Sequence, residues 1–396
     1  MNCSKASIGA LIGWACSAAM VAATPALAQD APALKLSLDY TADVSGVVSG
    51  GLAQRGRLLD DLQIGADIDL DKALGWSGAT AHVTLMNNAG GIPNDAAGAL
   101  QGIDNIEVSQ QRARMFEAWI QQGFGGDQGS ILAGLYDVNS EFYANDSAGL
   151  LIAPAFGIGS ELAATGPNGP SIFPSTALAV RLRWQSGETR YVQAAVINAQ
   201  AGVLGDPGGV NLSFDNGILA IAEAGWTSVK TGKLALGAWA YSQSQDDWRA
   251  VTPAGDPVKR RAGGVYLLAE RRLAGEEDGP RRVTGFARLG VSDGATSPFE
   301  GGWQAGVLIE QPFAQRPNSA LSLGVNQAFI TGRERANGVD AGRDIGRTET
   351  AFEITYADNL TEHLIVQPDL QYILRPAGDR NIDNALVATL RLKVSY

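Results

Sequence analysis

The sequence predicts an all-β protein, a single-chain transmembrane antiparallel β-barrel of about sixteen strands. Three observations predict it: apolar and polar residues alternate with a period of two, the alternating segments run for about ten to twelve residues, and short and long connections alternate between them. A period of two is typical of a strand with one apolar and one polar face. A β-sandwich has the same period, but its strands are usually about five or six residues long.

The alternation is clearest at the two ends of the mature chain. Near the start, Leu36, Leu38 and Tyr40 share one face, and polar residues occupy the positions between them. In the last strand, Leu390 and Leu392 alternate with polar residues in the same way. The sixteen candidate strands begin near residues 34, 58, 79, 112, 131, 177, 189, 217, 233, 261, 282, 303, 319, 347, 363 and 385. Strands of this length cross a bilayer when they are tilted.

The connections alternate in length along the chain. Those after even-numbered strands are mostly short (185–188, 227–232, 314–318, 358–362), and those after odd-numbered strands are mostly long (88–111, 138–176, 198–216, 331–346). In outer-membrane barrels the short turns are periplasmic and the long loops are extracellular. The chain also ends on an aromatic residue, Tyr396, on the apolar face of its last strand. We therefore expect a Gram-negative outer-membrane protein whose last strand is read by the barrel assembly machinery.

Residues 1–28 are predicted to be a cleaved signal peptide. An apolar stretch from Ile8 to about Ala23 is followed by the small-x-small signal Ala26-Leu27-Ala28. The alternative, an N-terminal membrane anchor, would need a longer apolar core. Both cysteines of the chain, Cys3 and Cys16, lie in this segment, so the mature chain has none. Absence of cysteine from an exported chain fits a bacterial envelope protein.

Residues 29–396 are predicted to form one barrel unit. No Pro-rich or Ser-rich linker divides them, and no segment has eighteen consecutive apolar residues, which excludes a helical membrane span. After removal of the signal peptide, 29 basic and 41 acidic residues remain. A chain this acidic has no basic surface for phosphates, so nucleic acid is not an expected partner.

Signals for an enzyme are weak. His82 and His363 are the only histidines and lie far apart in sequence, and we find no nucleophile elbow, no HExxH motif and no phosphate-binding glycine loop. We therefore expect neither a catalytic centre nor a metal or other cofactor.

The predicted lumen is polar, and its inward-facing residues carry charges of both signs. Sixteen strands leave an aqueous interior, and recognition of a sugar there would need planar hydrogen-bonding groups together with aromatic faces. The aromatic candidates are Trp119 and Phe142. The polar candidates on inward faces are Arg181, Arg183, Arg288, Glu353, Gln367, Asp369, Gln371 and Arg391. Ordinary wall positions of any barrel would carry similar residues.

Several segments, in order, resemble one family, the OprB-type carbohydrate-selective porins of Gram-negative bacteria. The most specific is Val366-Gln367-Pro368-Asp369-Leu370-Gln371-Tyr372. Others are 38–51, 67–76, 114–119, 134–142 and 168–174, so the resemblance covers nearly the whole mature chain. The chain departs from the family pattern where the short tryptophan-containing segment that often precedes the first strand is absent. In addition, Pro368 falls inside a strand, where we expect a bulge.

The resemblance implies a sixteen-stranded porin for passive diffusion of monosaccharides such as glucose. It also implies that arginine and glutamate at a constriction meet the sugar, and Arg114 and Glu117 match the family motif by position. The third loop of trimeric general porins folds into the barrel. We expect the same of 138–176, because a long loop with its own apolar residues is not expected to stay in solvent. The alternative is a lid that packs outside.

Three functions stay open from the sequence. The first is a porin with small sugars as solutes, the second a general or organic-acid porin without a sugar preference, and the third an outer-membrane enzyme. The expected partners are small sugars, outer-membrane lipid and the barrel assembly machinery, which reads the strand that ends at Tyr396, and both a homotrimer and a monomer are compatible with the sequence.

Overall fold

Sixteen strands close into one antiparallel barrel. The computed structural model describes residues 32–126, 128–228, 232–276, 279 and 281–396, and the predicted signal peptide, residues 1–28, lies outside them. The barrel strands are β1 (Leu34–Ser49), β2 (Gly56–Asp69), β3 (Ala79–Gly90), β4 (Arg112–Phe124), β5 (Gly129–Tyr136), β6 (Ala177–Ser186), β7 (Arg190–Asn198), β8 (Ile218–Ser228), β9 (Gly232–Tyr241), β12 (Gly263–Ala274), β13 (Arg282–Ser292), β14 (Phe299–Glu310), β15 (Ser319–Ile330), β16 (Thr348–Asn359), β17 (Leu364–Leu374) and β18 (Ala385–Ser395). Closure comes from pairing of β1 with β18.

Two further strands and four short helices lie in the connections. Strands β10 (Gln245–Val251) and β11 (Pro257–Arg260) form a separate hairpin between β9 and β12. The helices are α1 (Leu70–Leu74), α2 (Asn94–Ala97), α3 (Ser160–Ala163) and α4 (Gly332–Asp340). Among the described residues, no helix is both long and apolar enough to cross a membrane.

The predicted barrel and its strand number are confirmed. The largest difference between a predicted and an observed strand start is at β14, which we expected near residue 303 and which begins at Phe299. Strict alternation explains this agreement, because it places one set of side chains outside and the other inside. Leu36 and Leu58 on the outer face are 65% and 63% exposed, whereas Asp43 on the inner face is fully buried.

Connections differ in length at the two ends of the barrel. At the end that carries Leu34 and Ser395, residues 187–189 and 360–363 are short turns, and the connection 70–78 contains α1. At the other end, the connections include 91–111, 137–176, 199–217, 242–262 and 331–347. We call these the turn end and the loop end. That the loop end faces the cell exterior stays a prediction.

At the loop end, the connections 242–262 and 331–347 are bound to each other. Asp247 of β10 has a fully buried side chain and accepts two hydrogen bonds from Arg333 of α4, at 2.9 and 3.1 Å. Burial alone would raise the pKa of the Asp247 carboxyl, but hydrogen bonds from Arg333, two backbone N–H groups and Arg260 hold it well below its ordinary value. Trp248 donates to Glu334 at 2.8 Å, which ties the hairpin to α4 a second time.

The expected bulge at Pro368 is wrong. The β17–β18 register runs through the Pro368–Leu390 pair without a shift. On the β16 side, the same register holds at Thr355–Asp369 and at Asp358–Val366, and only the pairs between them are missing. Proline lacks an N–H donor, so a local gap in the ladder is enough to accommodate it.

Candidate functional site

Residues 137–176, which connect β5 and β6, lie against inward-facing side chains of the barrel. Glu223 of β8 accepts a hydrogen bond from the backbone N–H of Tyr143 at 3.1 Å, and Lys233 of β9 donates to the carbonyl of Ala144 at 2.9 Å. Glu270 of β12 accepts from the backbone N–H of Ser147 at 2.9 Å. Charged side chains of three strands therefore bind the backbone of this segment.

The contacts continue along the following strands. Arg288 of β13 donates to the carbonyls of Tyr143, Ala155 and Gly157 at 2.8–3.0 Å. Glu353 of β16 accepts from the N–H groups of Ile152 and Ala153, and Gln367 of β17 donates to the carbonyl of Leu150 at 2.8 Å. These three side chains satisfy backbone groups that would otherwise be buried without partners.

Apolar packing holds the same segment. The ring of Tyr143 stacks on Tyr266 of β12 at 4.0 Å between centroids, and Phe156 packs edge-on against Phe286 of β13. A side chain at Gly324 of β15 would lie 2.6 Å from the Phe156 ring, so only glycine permits this approach. Phe142, a predicted sugar platform, is fully buried in this core, which leaves no ring face for a solute.

A second connection, 91–111, also reaches the inner face, which the sequence analysis did not predict. Glu349 of β16 accepts from the N–H groups of Leu100 and Gln101 at 2.8 and 3.0 Å. Gln371 of β17 donates to the carbonyl of Ile103 at 2.8 Å, and Arg391 of β18 donates to Asn105 at 2.7 Å. We call the inner faces of β7–β9 and β12–β18, which these two connections line, the covered wall.

The inner faces of β2–β4 form the open wall. Here a bulge in β4 matters, since Leu85 pairs with Met115 and Thr84 pairs with Glu117, which leaves Phe116 as an extra residue. Strict alternation would put Arg114 and Glu117 on opposite faces because they are three residues apart. The extra residue restores the parity, so both face the lumen.

Glu117 and Trp119 lie on the turn-end side of this bulge. Glu117 accepts from the N–H of Asp137 at 3.0 Å, and the Trp119 ring stacks on His82 with centroids 5.2 Å apart. The imidazole of His82 also lies 2.6 Å from a carboxylate oxygen of Asp67, whose side chain is 53% exposed. In the sequence, only the positions of His82 and Asp67 in the alternation indicate that they face the lumen, and nothing marks them as site residues.

Arg114 lies on the loop-end side of the bulge, at the wall of a cavity of about 990 Å³. Its guanidinium donates to Asp206 at 3.0 Å and to Asn88 at 3.2 Å. Arg112 lies 3.5 Å from the same Asp206 oxygen, and Asn168 and Phe173 also line the cavity. We call this cavity the vestibule.

Asp206 keeps its charge in this setting. Burial alone would raise the pKa of its carboxyl, but hydrogen bonds from Ser175 and Arg114 outweigh that effect and lower the pKa below its ordinary value. Sequence reasoning missed Asp206 because it lies in the connection 199–217, whose fold the alternation does not predict. Arg112 had a weak signal, since it shares the inward parity of Arg114.

The remaining predicted site residues are engaged with protein groups. Arg181 of β6 forms an ion pair with Glu141 at 2.6 Å, and Arg183 donates to Gln193 at 2.9 Å with its guanidinium over the Tyr191 ring. Asp369 is 3% exposed and accepts from Gln371 at 3.2 Å. The structure therefore brings Arg114, Glu117 and Trp119 together on β4, whereas Arg288, Gln367, Asp369 and Gln371 are buried on the covered wall.

Within the described ranges, no three or more histidine, cysteine, aspartate or glutamate side chains are arranged to hold a metal ion. The side chains of the candidate site, on the open wall and in the vestibule, are hydrogen-bonding and aromatic groups.

A closed sixteen-stranded antiparallel barrel with an apolar outer face and a polar inner face is the architecture of an outer-membrane porin. The family model described as the carbohydrate-selective porin, OprB family, matches residues 53–396. The chain therefore belongs to the OprB family, whose members reside in the Gram-negative outer membrane.

Two curated proteins are similar over most of their length. Porin B of Pseudomonas aeruginosa is 24% identical, and the match covers 91% of this chain and 87% of that protein. A putative porin, QuiX, of Acinetobacter baylyi is 21% identical and is matched over 85% of this chain and 82% of its own. Both relatives are named as channels.

Solved structures share the fold. The high-pH structure of Pseudomonas putida OprB has a TM-score of 0.81 at 23% identity, with 92% of this chain and 94% of that chain covered. The low-pH structure of the same protein has a TM-score of 0.59 at 19% identity, with 92% and 93% covered.

Proposed function

We propose that this porin lets monosaccharides such as glucose diffuse passively across the outer membrane, and that the vestibule and the open wall contact the sugar. The observation that carries the proposal is the ion-paired group on the wall of the vestibule, in which Arg112 and Asp206 are partly exposed and the buried Arg114 positions Asp206. The carbohydrate selectivity of the family supports sugars as the solutes, and the choice of monosaccharides such as glucose among the sugars is our more specific proposal.

The chemistry of this group suits a neutral polyol. A guanidinium presents planar donors that match two neighbouring hydroxyls, and a carboxylate presents acceptors. Asp206 cancels the charge of one of the two arginines, so the group keeps a single positive charge and offers both donors and an acceptor. A sugar, whose hydroxyls both donate and accept, can use all of these groups, whereas an anion is attracted by the arginines and repelled by Asp206.

Residues 137–176 would set the size of the largest solute that can pass. Their contacts with side chains from β8 to β17 support it, because a segment fixed at so many points narrows the lumen permanently. Solutes would then pass between this segment and the open wall, where Glu117 and Trp119 lie.

A liposome-swelling assay tests the solute preference. Glucose, sucrose, gluconate and an amino acid of glucose's size are compared for the wild type, for Arg112→Gln and for Asp206→Asn. We expect glucose to enter faster than its size alone allows, and both variants to lose most of that preference. Arg271→Gln removes an exposed outer-face arginine at the turn end and serves as the control.

Other outcomes separate the alternatives. Rates that follow solute size alone would make the protein a general porin, and faster gluconate than glucose would favour an organic-acid porin. Absence of swelling with every solute would contradict a diffusion channel altogether.

A further inference from the structure

A histidine on the open wall is held in one orientation by three neighbours. His82 of β3 has its Nδ1 2.6 Å from a carboxylate oxygen of Asp67 and its Nε2 2.7 Å from the hydroxyl of Thr84. The imidazole stacks on Trp119 with 22° between the ring planes. His82 pairs with Asp67 across β2 and β3 and with Trp119 across β3 and β4, so all three side chains have the inward parity.

These contacts suit both charge states of the imidazole. An ionised carboxylate only accepts hydrogen bonds, so Nδ1 carries a proton in either state. A hydroxyl both donates and accepts, so Thr84 donates to Nε2 when the ring is neutral and accepts from it when the ring is charged. The face of an indole attracts a neighbouring cation, which keeps the stack on Trp119 in place. Proton uptake therefore requires the rotation of one hydroxyl and no movement of the ring.

The imidazole is within reach of water and of the permeating ions. The side chain of Asp67 is 53% exposed, and that of His82 is 17% exposed. Inserted connections line the covered wall, which leaves the side of the open wall to ions that cross the barrel. A proton gained by His82 therefore changes the charge beside their path.

The charged side chains packed around His82 are mostly acidic. Lys35 lies opposite Asp67 on β1, and Lys72 is paired with Asp69 at 3.3 Å. The carboxylates on the surrounding strands and connections are Asp67, Asp69, Glu117 and Asp137. With a neutral imidazole this part of the wall favours cations, and a charged imidazole removes one unit of that negative charge. Histidine is the one side chain whose ordinary pKa puts its change of charge between about pH 5 and 8.

We propose that His82 is a specificity-determining residue for ions, and that its proton lowers the preference of the lumen for cations over anions as the pH falls from 8 to 5.5. The proposal goes beyond the passage of sugars, because it requires an open lumen and no sugar preference. Water and salt screen one unit charge, so we expect the ratio of potassium to chloride permeability to change about two- to threefold.

Reversal potentials across a potassium chloride gradient in planar bilayers test the proposal. They are measured between pH 8 and pH 5.5 for the wild type, for His82→Gln and for His82→Lys. We expect the permeability ratio of the wild type to fall over this range. His82→Gln stays neutral and should keep the wild-type ratio of pH 8 throughout, whereas His82→Lys stays charged and should have the lower ratio throughout.

The control is His363→Gln, because His363 is the other histidine of the sequence and stacks on Tyr396 at the turn end. It should keep the wild-type response, and heat-modifiable mobility on gels reports that each variant is folded. A wild-type ratio that does not change with pH would overturn the proposal, as would a full response in folded His82→Gln. A response that is kept in His82→Gln and lost in Glu117→Gln would assign the change of charge to Glu117 and overturn it as well.

Discussion

The covered wall and the open wall carry the same kinds of inward-facing residues, yet those residues do different things. On the covered wall, Arg288, Glu353 and Gln371 are at most 4% exposed and hold the backbone of inserted connections. On the open wall, Asp67 is half exposed and Glu117 and Trp119 are partly exposed. An inward polar residue in a barrel of this kind therefore marks a solute contact only where no connection covers it.

The largest expected effect comes from breaking the covered wall. In Arg288→Leu, three carbonyls of the segment 137–176 lose their donor, and each such loss costs about 1–3 kcal/mol when the acceptor is buried. We expect this segment to leave its position, single-channel conductance in planar bilayers to rise several-fold, and sucrose to enter liposomes.

Arg183→Leu is the matched control, because this arginine faces the lumen but donates to a side chain of β7 and not to an inserted connection. Its conductance should stay within about a factor of two of the wild type. A folded Arg288→Leu protein with wild-type conductance would show that the other contacts hold the segment without Arg288.

A smaller effect is expected on the open wall. Trp119→Leu removes the ring that stacks on His82 and keeps an apolar side chain against the core that holds the segment 137–176. An aromatic contact contributes roughly 0.5–1.5 kcal/mol, so we expect glucose flux to fall about two-fold to ten-fold while potassium conductance changes little. Trp184→Leu, on the outer face of β6, is the control. Equal losses of glucose flux and potassium conductance would indicate a change of aperture and not a lost sugar contact.

The strands were predictable from alternation, whereas the insertion of 138–176 was expected only from its length, its apolar residues and its likeness to other porins, and that of 91–111 was missed. Alternation predicts on which face of the barrel a strand residue lies, and it is right for Leu390 on the outer face and for Asp43 on the inner face. Whether a connection covers that face depends on contacts between distant residues, such as Glu349 with Leu100. Inward parity is the same for Glu349 and for Asp67, so the sequence pattern cannot separate a residue that anchors a connection from one that meets the channel.

The bulge of β4 sets a second limit. Periodicity places Arg114 and Glu117 on opposite faces, and only the resemblance to the OprB family placed both at the constriction. The sequence pattern of β4 gives no sign of the extra residue at Phe116. The shift is visible only in the pairing of β4 with β3, where Thr84 and Leu85 pair with Glu117 and Met115.

A pH effect is expected in the second inserted connection, 91–111. Burial, with a smaller contribution from the charge of Asp95, raises the pKa of Glu107 to about 7, although the N–H of Asn94 opposes the shift. A raised pKa means that the folded connection binds the proton more tightly than the unfolded one. Its stabilisation is therefore fully present below about pH 4.5 and is lost as the pH rises towards 7.

Hydrogen exchange measures this effect. After correction for intrinsic rates, residues 91–111 should be better protected at pH 5.5 than at pH 8, and Glu107→Gln, which mimics the protonated carboxyl, should abolish the difference. Residues 137–176 serve as the internal reference. If protection of residues 91–111 increased with pH in the wild type, folding would lower the pKa of Glu107 and the prediction would be wrong.

The smallest effect is expected from an ion pair that touches neither wall. Arg380 and Asp344 at the loop end lie 3.0 Å apart, and both side chains are 56% exposed. Exposed pairs contribute about 0–1 kcal/mol because water and salt screen them, so Arg380→Ala should shift the thermal midpoint in detergent by less than about 2 °C.

Asp43→Asn is the contrasting variant: its fully buried carboxylate accepts three hydrogen bonds from Arg391, which also binds the connection 91–111. Its midpoint should fall clearly further, because Arg391 would keep a buried charge that is only partly paired. Equal shifts in the two variants would mean that the buried anchors stabilise the barrel no more than a surface pair does, and that the inserted connections are held by apolar packing alone.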